Sequence, residues 1–189
     1  MQTHGAPGSM QATTVLGVRR NGQVCLGADG QVTFGSMILK PNANKLRRLH
    51  DGKVIAGFAG SVADAFTLFD LFEDRLAAHH GELRQAAVAL AQDWRRDRIL
   101  RRLEAMLLIA DAEHLMVLNG SGEVVEPEDG IASIGSGSPY ALAAARALAR
   151  ATDLSAEAIV REAMGVAGDL CIYTNRELRL EVLGGAKEA

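Results

Sequence analysis

The chain has 189 residues, 48% hydrophobic and 23% charged, with a formal net charge of −3. That length suits one domain with a substantial core, and the mildly acidic balance argues against a nucleic-acid or anionic-membrane partner. No apolar run reaches the length of a membrane span, and Cys25 and Cys171, far apart and without a CxxC, outline no disulfide framework, so a reducing cytoplasm is the expected compartment.

Residues 1–12 carry His, Gly, Pro, Ser and Gln but no apolar h-region, so they read as a lead and not as a secretory signal. Residues 13–189 read as one domain. From Thr13 to Phe34 apolar and polar residues alternate in short runs, broken at Asn21-Gly22 and Asp29-Gly30. Asn-Gly between β-prone runs predicts a hairpin. Lys45–Leu49 and Lys53–Phe58 continue the strand pattern up to the glycines Gly57 and Gly60. Val62, Ala65, Phe66, Phe69, Phe72 and Leu76 then recur at helical spacing. Gly81 ends that helix. A second is predicted from about Glu82 to Arg102, with Leu83, Ala87, Leu90 and Trp94 on one stripe. Two such helices with a short connection lie antiparallel on one face of a sheet. The cluster Arg95, Arg96, Arg98, Arg101 and Arg102, interrupted by Asp97, reads as a solvated helix face.

Strands resume at Ala105–Ala110, Leu115–Leu118 and Ile131–Ile134, the last running into Gly135-Ser136-Gly137-Ser138-Pro139. Ser138 as N-cap and Pro139 at the first helical position predict a helix to about Ala151. Ser155 opens a last helix that ends near Gly168, and closing strands are expected around Leu170–Thr174 and Leu178–Leu183. Strands grouped apart from helices indicate an α+β fold, two packed sheets with helices on both outer faces.

The chemistry is concentrated in few places. A threonine hydroxyl is a poor nucleophile without a base in reach, and its own amine is the nearest base when the residue comes first. Cutting after Ala12 would give Thr13 an amine of pKa roughly 8, partly neutral near physiological pH. As an internal residue Thr13 is an ordinary strand threonine. Lys45, if buried beside Thr13, would keep that amine neutral; otherwise it is a solvated strand lysine. Asp29 is either the counter-charge for such a lysine or a turn aspartate bonding its own backbone. Ser136 lies in a glycine-flanked loop before a helix N-terminus, where it would bond the terminal amine, unless the loop is a plain turn or a phosphate cradle. Gly57 and Gly60 would let a backbone N–H approach a substrate carbonyl, or serve close packing. Gly168, Cys171 and Thr174 bracket a helix end whose carbonyls would suit a hard monovalent cation, or form an ordinary C-cap. No HExxH, zinc spacing, GxSxG elbow or GxxxxGK[ST] loop occurs, so nucleotide hydrolysis would have to come from a partner.

Taken together, several blocks resemble a known family. They are Thr13-Thr14-Val15 through Asn21-Gly22, Gly30-Gln31-Val32-Thr33, Lys53 to Gly60, Ala63 to Phe69, Gly135-Ser136-Gly137 with Pro139-Tyr140-Ala141, and Ala167-Gly168-Asp169 with Cys171 to Asn175. In that order they are similar to the HslV family of bacterial peptidase subunits, relatives of proteasome β subunits. The resemblance implies a four-layer αββα N-terminal-nucleophile hydrolase fold. It implies two stacked hexameric rings, a homododecamer, served by a hexameric AAA+ ATPase, HslU, that delivers unfolded proteins. It makes Thr13 the nucleophile and base, Lys45 the tuning charge with Asp29 in support, Ser136 an aid at the amine and Gly57 an oxyanion donor. The carbonyls of Gly168, Cys171 and Thr174 would hold sodium. The twelve-residue lead would be removed by self-cleavage at Ala12–Thr13, or be shorter if Met10 is the start. Ser61 and Val62 replace a glycine and a threonine common in the family, and the stretch from Arg176 departs from its pattern. A catalytically silent ring subunit and a small-molecule amidase are the competing expectations.

Overall fold

One hairpin sets the pattern for the rest of the molecule. A computed structural model describes residues 10–11, 13–60, 62–98, 100, 103 and 105–184, with side chains described for all of these except 10, 11, 62 and 63. Strands β2 (Thr14–Arg20) and β3 (Gln23–Asp29) pair antiparallel, Arg20 opposite Gln23. Between them Asn21 and Gly22 take φ of 52° and 72°. Both central residues at positive φ make a type I′ turn, whose twist matches a hairpin.

Before and after this hairpin come β1 (Met10–Gln11), β4 (Val32–Phe34), β5 (Met37–Lys40), β6 (Leu46–Leu49) and β7 (Val54–Ala59). Helices α1 (Val62–Ala78) and α2 (Leu83–Arg96) follow, then β8 (Met106–Ala110), β9 (Leu115–Asn119), β10 (Val124–Val125) and β11 (Ile131–Gly135). The chain closes with α3 (Ser138–Ala151), α4 (Ala156–Leu170) and β12 (Leu178–Gly184). One sheet runs β10-β9-β8-β7-β6, a second β11-β2-β3-β12, and a small third β1-β4-β5.

Alternation along the strands builds four layers. On β7, Val54, Ala56 and Phe58 join Leu68, Phe72, Leu90 and Trp94 in a core beneath α1 and α2. Their neighbours Ile55 and Ala59 turn the other way and meet Val15 and Leu26 between the two sheets. On β2, Leu16 and Val18 point outward again, against Ala141 and Ala145 of α3 and Ile159 and Ala163 of α4. Period-two patterning with both faces covered yields this helix–sheet–sheet–helix stack. Truncating Leu26 to alanine in the central layer should cost about 2–5 kcal/mol.

Three boundaries differ from the expectations. Helix α2 stops at Arg96, not Arg102: Asp97 leaves helical backbone (φ −72°, ψ 129°) and its amide closes the last turn on Asp93 O at 2.9 Å. Its carboxylate then accepts Leu100 N at 2.9 Å and starts a separate turn, while Arg101 and Arg102 lie outside the described residues. The N-cap of α3 is Gly137, with Ser138 already helical and no side-chain cap. The apolar run from Leu170 to Thr174 is no strand. Helix α4 carries through to Leu170, held by buried Ala163, Met164 and Ala167, and Leu170 and Ile172 are left 59% and 80% exposed. Ser155 does cap α4, accepting from Ala158 N at 3.2 Å.

Candidate active site

Thr13 and Thr14 stand at the head of β2, and both are buried. At this end of the strand the Thr14 amide meets a carboxylate. It donates to Asp29 Oδ1 at 2.7 Å. Asp29 closes β3, the other arm of the hairpin, so the turn at Asn21-Gly22 brings the two residues together. The same Oδ1 accepts Lys45 Nζ at 2.9 Å, and Oδ2 accepts Gln31 N at 2.9 Å. Lys45, immediately before β6, also donates to Gln31 O at 2.6 Å.

The Lys45 ammonium therefore lies beside the peptide that joins Thr13 to Thr14. It is 8% exposed, and burial holds its pKa below the usual lysine value, with the Asp29 charge and hydrogen bond pulling upward. The reading of Lys45 as a solvated lysine is set aside, as is that of Asp29 as a turn aspartate serving only its own backbone.

From the opposite side the 135–137 loop closes on the same peptide. Ser136 N donates to Thr13 O at 2.8 Å, and Gly137 N donates to Thr14 Oγ1 at 2.8 Å. Gly135 takes φ 92°, and a Cβ there would fall on the Thr13 carbonyl. The Ser136 side chain is exposed. Positions 13, 29, 45 and 136 thus converge on one peptide unit.

The other candidates are placed less directly. Gly57 lies in β7 between Leu46 and Leu108, where a Cβ would meet Val15 Cγ1 at 2.6 Å; packing alone accounts for a glycine there. Gly168 is in the last turn of α4, Cys171 caps it through its amide to Ala167 O at 2.9 Å, and Thr174 N donates to Cys171 O at 3.0 Å. This turn reaches the site: Thr174 Oγ1 is 2.7 Å from Thr14 Oγ1. Ser61 and Ala12, and with Ala12 one side of the expected scissile bond, are outside the described residues. Upstream of it, Met10 and Gln11 pair with Phe34 and Thr33, so the chain approaches Thr13 along the edge of β4.

Two residues of the site are given no role by the sequence alone, although both lie in the blocks that carry the resemblance. Thr14 is fully buried, and Gln31, 2% exposed, knits the Asp29–Lys45 pair to the turn after α4 by donating from Nε2 to Ile172 O at 2.9 Å. The available signal was composition: a glutamine inside a glycine-bounded, apolar stretch is rarely buried unless bonded.

Comparison with known proteins shows the family. The proteasome family, described as proteasome subunit, matches residues 9–183. The ATP-dependent protease subunit HslV of Desulfovibrio desulfuricans is 57% identical over 184 residues, 97% of this chain and 100% of that protein. The crystal structure of eukaryotic HslV from Trypanosoma brucei superposes with a TM-score of 0.87 at 45% identity, covering 91% of this chain and 99% of that one. Thiobacillus denitrificans BPH in complex with Epoxomicin is similar in fold alone, with a TM-score of 0.70 at 23% identity over 92% of this chain and 100% of that one.

Proposed function

The chain belongs to the proteasome subunit family and is an N-terminal threonine protease, and we propose that Thr13 carries its chemistry once residues 1–12 have been cut away. The observation that supports this best is the clamp on the Thr13–Thr14 peptide: Ser136 N on one side, and the Asp29 carboxylate shared with Lys45 on the other. A residue meant only to start a strand needs neither a buried cation nor a loop closed on its carbonyl.

The reaction is an acyl transfer to oxygen and then to water. The freed Thr13 amine takes the Oγ proton as Oγ adds to the peptide carbonyl carbon. Gly57 is paired on both sides inside β7, so the oxyanion is assigned instead to a backbone N–H past the end of that strand, at Gly60. The tetrahedral species collapses to an acyl ester as the amine proton passes to the leaving nitrogen. Water, deprotonated by the same amine, hydrolyses the ester. Protonated Lys45 disfavours a second positive charge nearby and keeps the amine neutral, Asp29 holds Lys45, and the Ser136 hydroxyl assists at the amine. The edge of β4, which carries Met10 and Gln11 in the uncut chain, offers a route for an extended substrate backbone.

A sodium ion is proposed at the carbonyls of Gly168, Cys171 and Thr174. An all-oxygen set suits a hard cation: Gly168 lies in the last turn of α4, where carbonyls lack an intrahelical amide, and the Cys171 carbonyl, which accepts Thr174 N at 3.0 Å, keeps a second lone pair. Bound there, the ion would stiffen the turn that carries Thr174.

The relatives are named protease subunits, and we extend their ATP dependence to this chain. It would work as a cytoplasmic homododecamer of two stacked hexameric rings, fed with unfolded protein by the hexameric AAA+ ATPase HslU. Intact mass is the direct test. The purified protein should lack residues 1–12, and Thr13→Ala should keep them and cleave no peptide. Normal turnover by Thr13→Ala would overturn the assignment.

A further inference from the structure

We infer that Thr14 is a positioning residue for the nucleophile, and that it acts through its hydroxyl bond to Thr174. The inference rests on Thr13 being the nucleophile. Thr14 touches every element that defines the site. Its amide bonds the Asp29 oxygen shared with Lys45, its Oγ1 accepts from Gly137 N at 2.8 Å, and the same oxygen meets Thr174 Oγ1 at 2.7 Å. The first contact holds the Thr13–Thr14 peptide itself and the other two hold the side chain of its second residue, and that peptide plane ends at the Thr13 Cα.

Two further observations favour a positioning role over two hydroxyls that only satisfy one another. The hydroxyls are 0% and 4% exposed at residue level, in a place where a valine pair of the same shape would remove two polar groups from the interior. The loop also approaches them so closely that a Cβ on Gly137 would stand 2.5 Å from both Thr14 Oγ1 and Thr174 Oγ1. The donor from the 135–137 loop, which also holds the Thr13 carbonyl, is thus in register with this hydroxyl pair. Because Thr174 follows the end of α4, the pair links the turn after that helix to the nucleophile.

Thr14→Val and Thr174→Val, which keep side-chain shape and remove one hydroxyl each, test this in the assembled peptidase. Each should lower kcat about 10–100-fold with KM changed by less than about threefold, since a misplaced nucleophile loses rate and not binding. Thr14→Ser should regain kcat to within about threefold of the parent, and the two valine changes together should cost little more than one. Wild-type kcat in Thr14→Val or Thr174→Val, with only a lowered melting temperature, would overturn the inference. Should Thr14→Val fail to fold or to lose residues 1–12, Thr174→Val, remote in sequence from the cleavage point, decides by the same kcat criterion. Thr13→Ala run alongside separates the two readings: if it turns over, the nucleophile assignment fails, and if it is dead while both valine variants are fully active, only the positioning role fails.

Discussion

Lys45 Nζ lies 2.9 Å from Asp29 Oδ1, with side-chain exposures of 7% and 0%. An ion pair this dry is no strong source of stability, because removing two charges from water costs about what their attraction returns. Breaking it from one side is another matter. Asp29→Asn leaves a buried ammonium without its counter-charge and should destabilise the fold by about 3–5 kcal/mol. The Asp29→Asn, Lys45→Met double variant should recover a large part of that in urea unfolding. Both variants should lack peptidase activity, since each alters the charge beside Thr13.

Stability should also respond to pH through Lys45. Its folded pKa is lowered by burial, with Asp29 opposing, while in the unfolded chain it returns to about 10.4. Between those two values the unfolded state binds more protons, so unfolding free energy rises with pH there. The penalty is fully present below the folded pKa and is relieved as pH climbs through it. Measured from neutral pH upward, wild type should gain on the Asp29→Asn, Lys45→Met double variant. A difference flat in pH would remove Lys45 from the list of groups with altered affinity for a proton.

The sequence was readable where local physics decides. Asn21-Gly22 takes positive φ at both residues and makes its hairpin, Ala65, Phe69, Phe72 and Leu76 of the α1 stripe enter the core while Phe66 stays 57% exposed and Leu68 is buried in its place, and Ser155 caps α4. It was less readable where a distant element decides. Leu170–Thr174 looks like a strand by composition, but helix α4 is extended past Gly168 by packing of Ala167 against the sheet. Lys45 has two arginines as near neighbours and the outward look of a surface residue. Only the fold brings Asp29, sixteen positions earlier, to meet it. The Thr14–Thr174 contact spans 160 positions, a distance no spacing rule covers.

Gly135 is the point at which backbone geometry and chemistry meet most directly. Its φ of 92° is a conformation that side chains strain to adopt, and a Cβ would collide with the Thr13 carbonyl. Gly135→Ala should lose about 1–3 kcal/mol from strain. Displacing the loop also breaks the Ser136 N to Thr13 O bond, so kcat should fall about 100-fold. A melting curve and a peptide-hydrolysis assay on one sample check both. Full activity in this variant would mean that the loop does not hold the nucleophile.

The proposed coupling to an ATPase would carry a reciprocal consequence. If docking of HslU raises small-peptide hydrolysis, it does so by binding a competent arrangement of the site better than an incompetent one. A ligand that prefers the competent site must then strengthen docking by the factor by which docking strengthens that ligand's own binding, because linkage between two binding events is symmetric. A peptide aldehyde that adds reversibly to Thr13 Oγ supplies such a ligand. ATPase binding, followed by sedimentation at fixed nucleotide, should tighten when the aldehyde is present, and Thr13→Ala, which cannot form the adduct, should show no tightening. An ATPase affinity indifferent to the aldehyde, alongside stimulated hydrolysis, would mean that docking eases substrate entry to the proposed rings without altering the site.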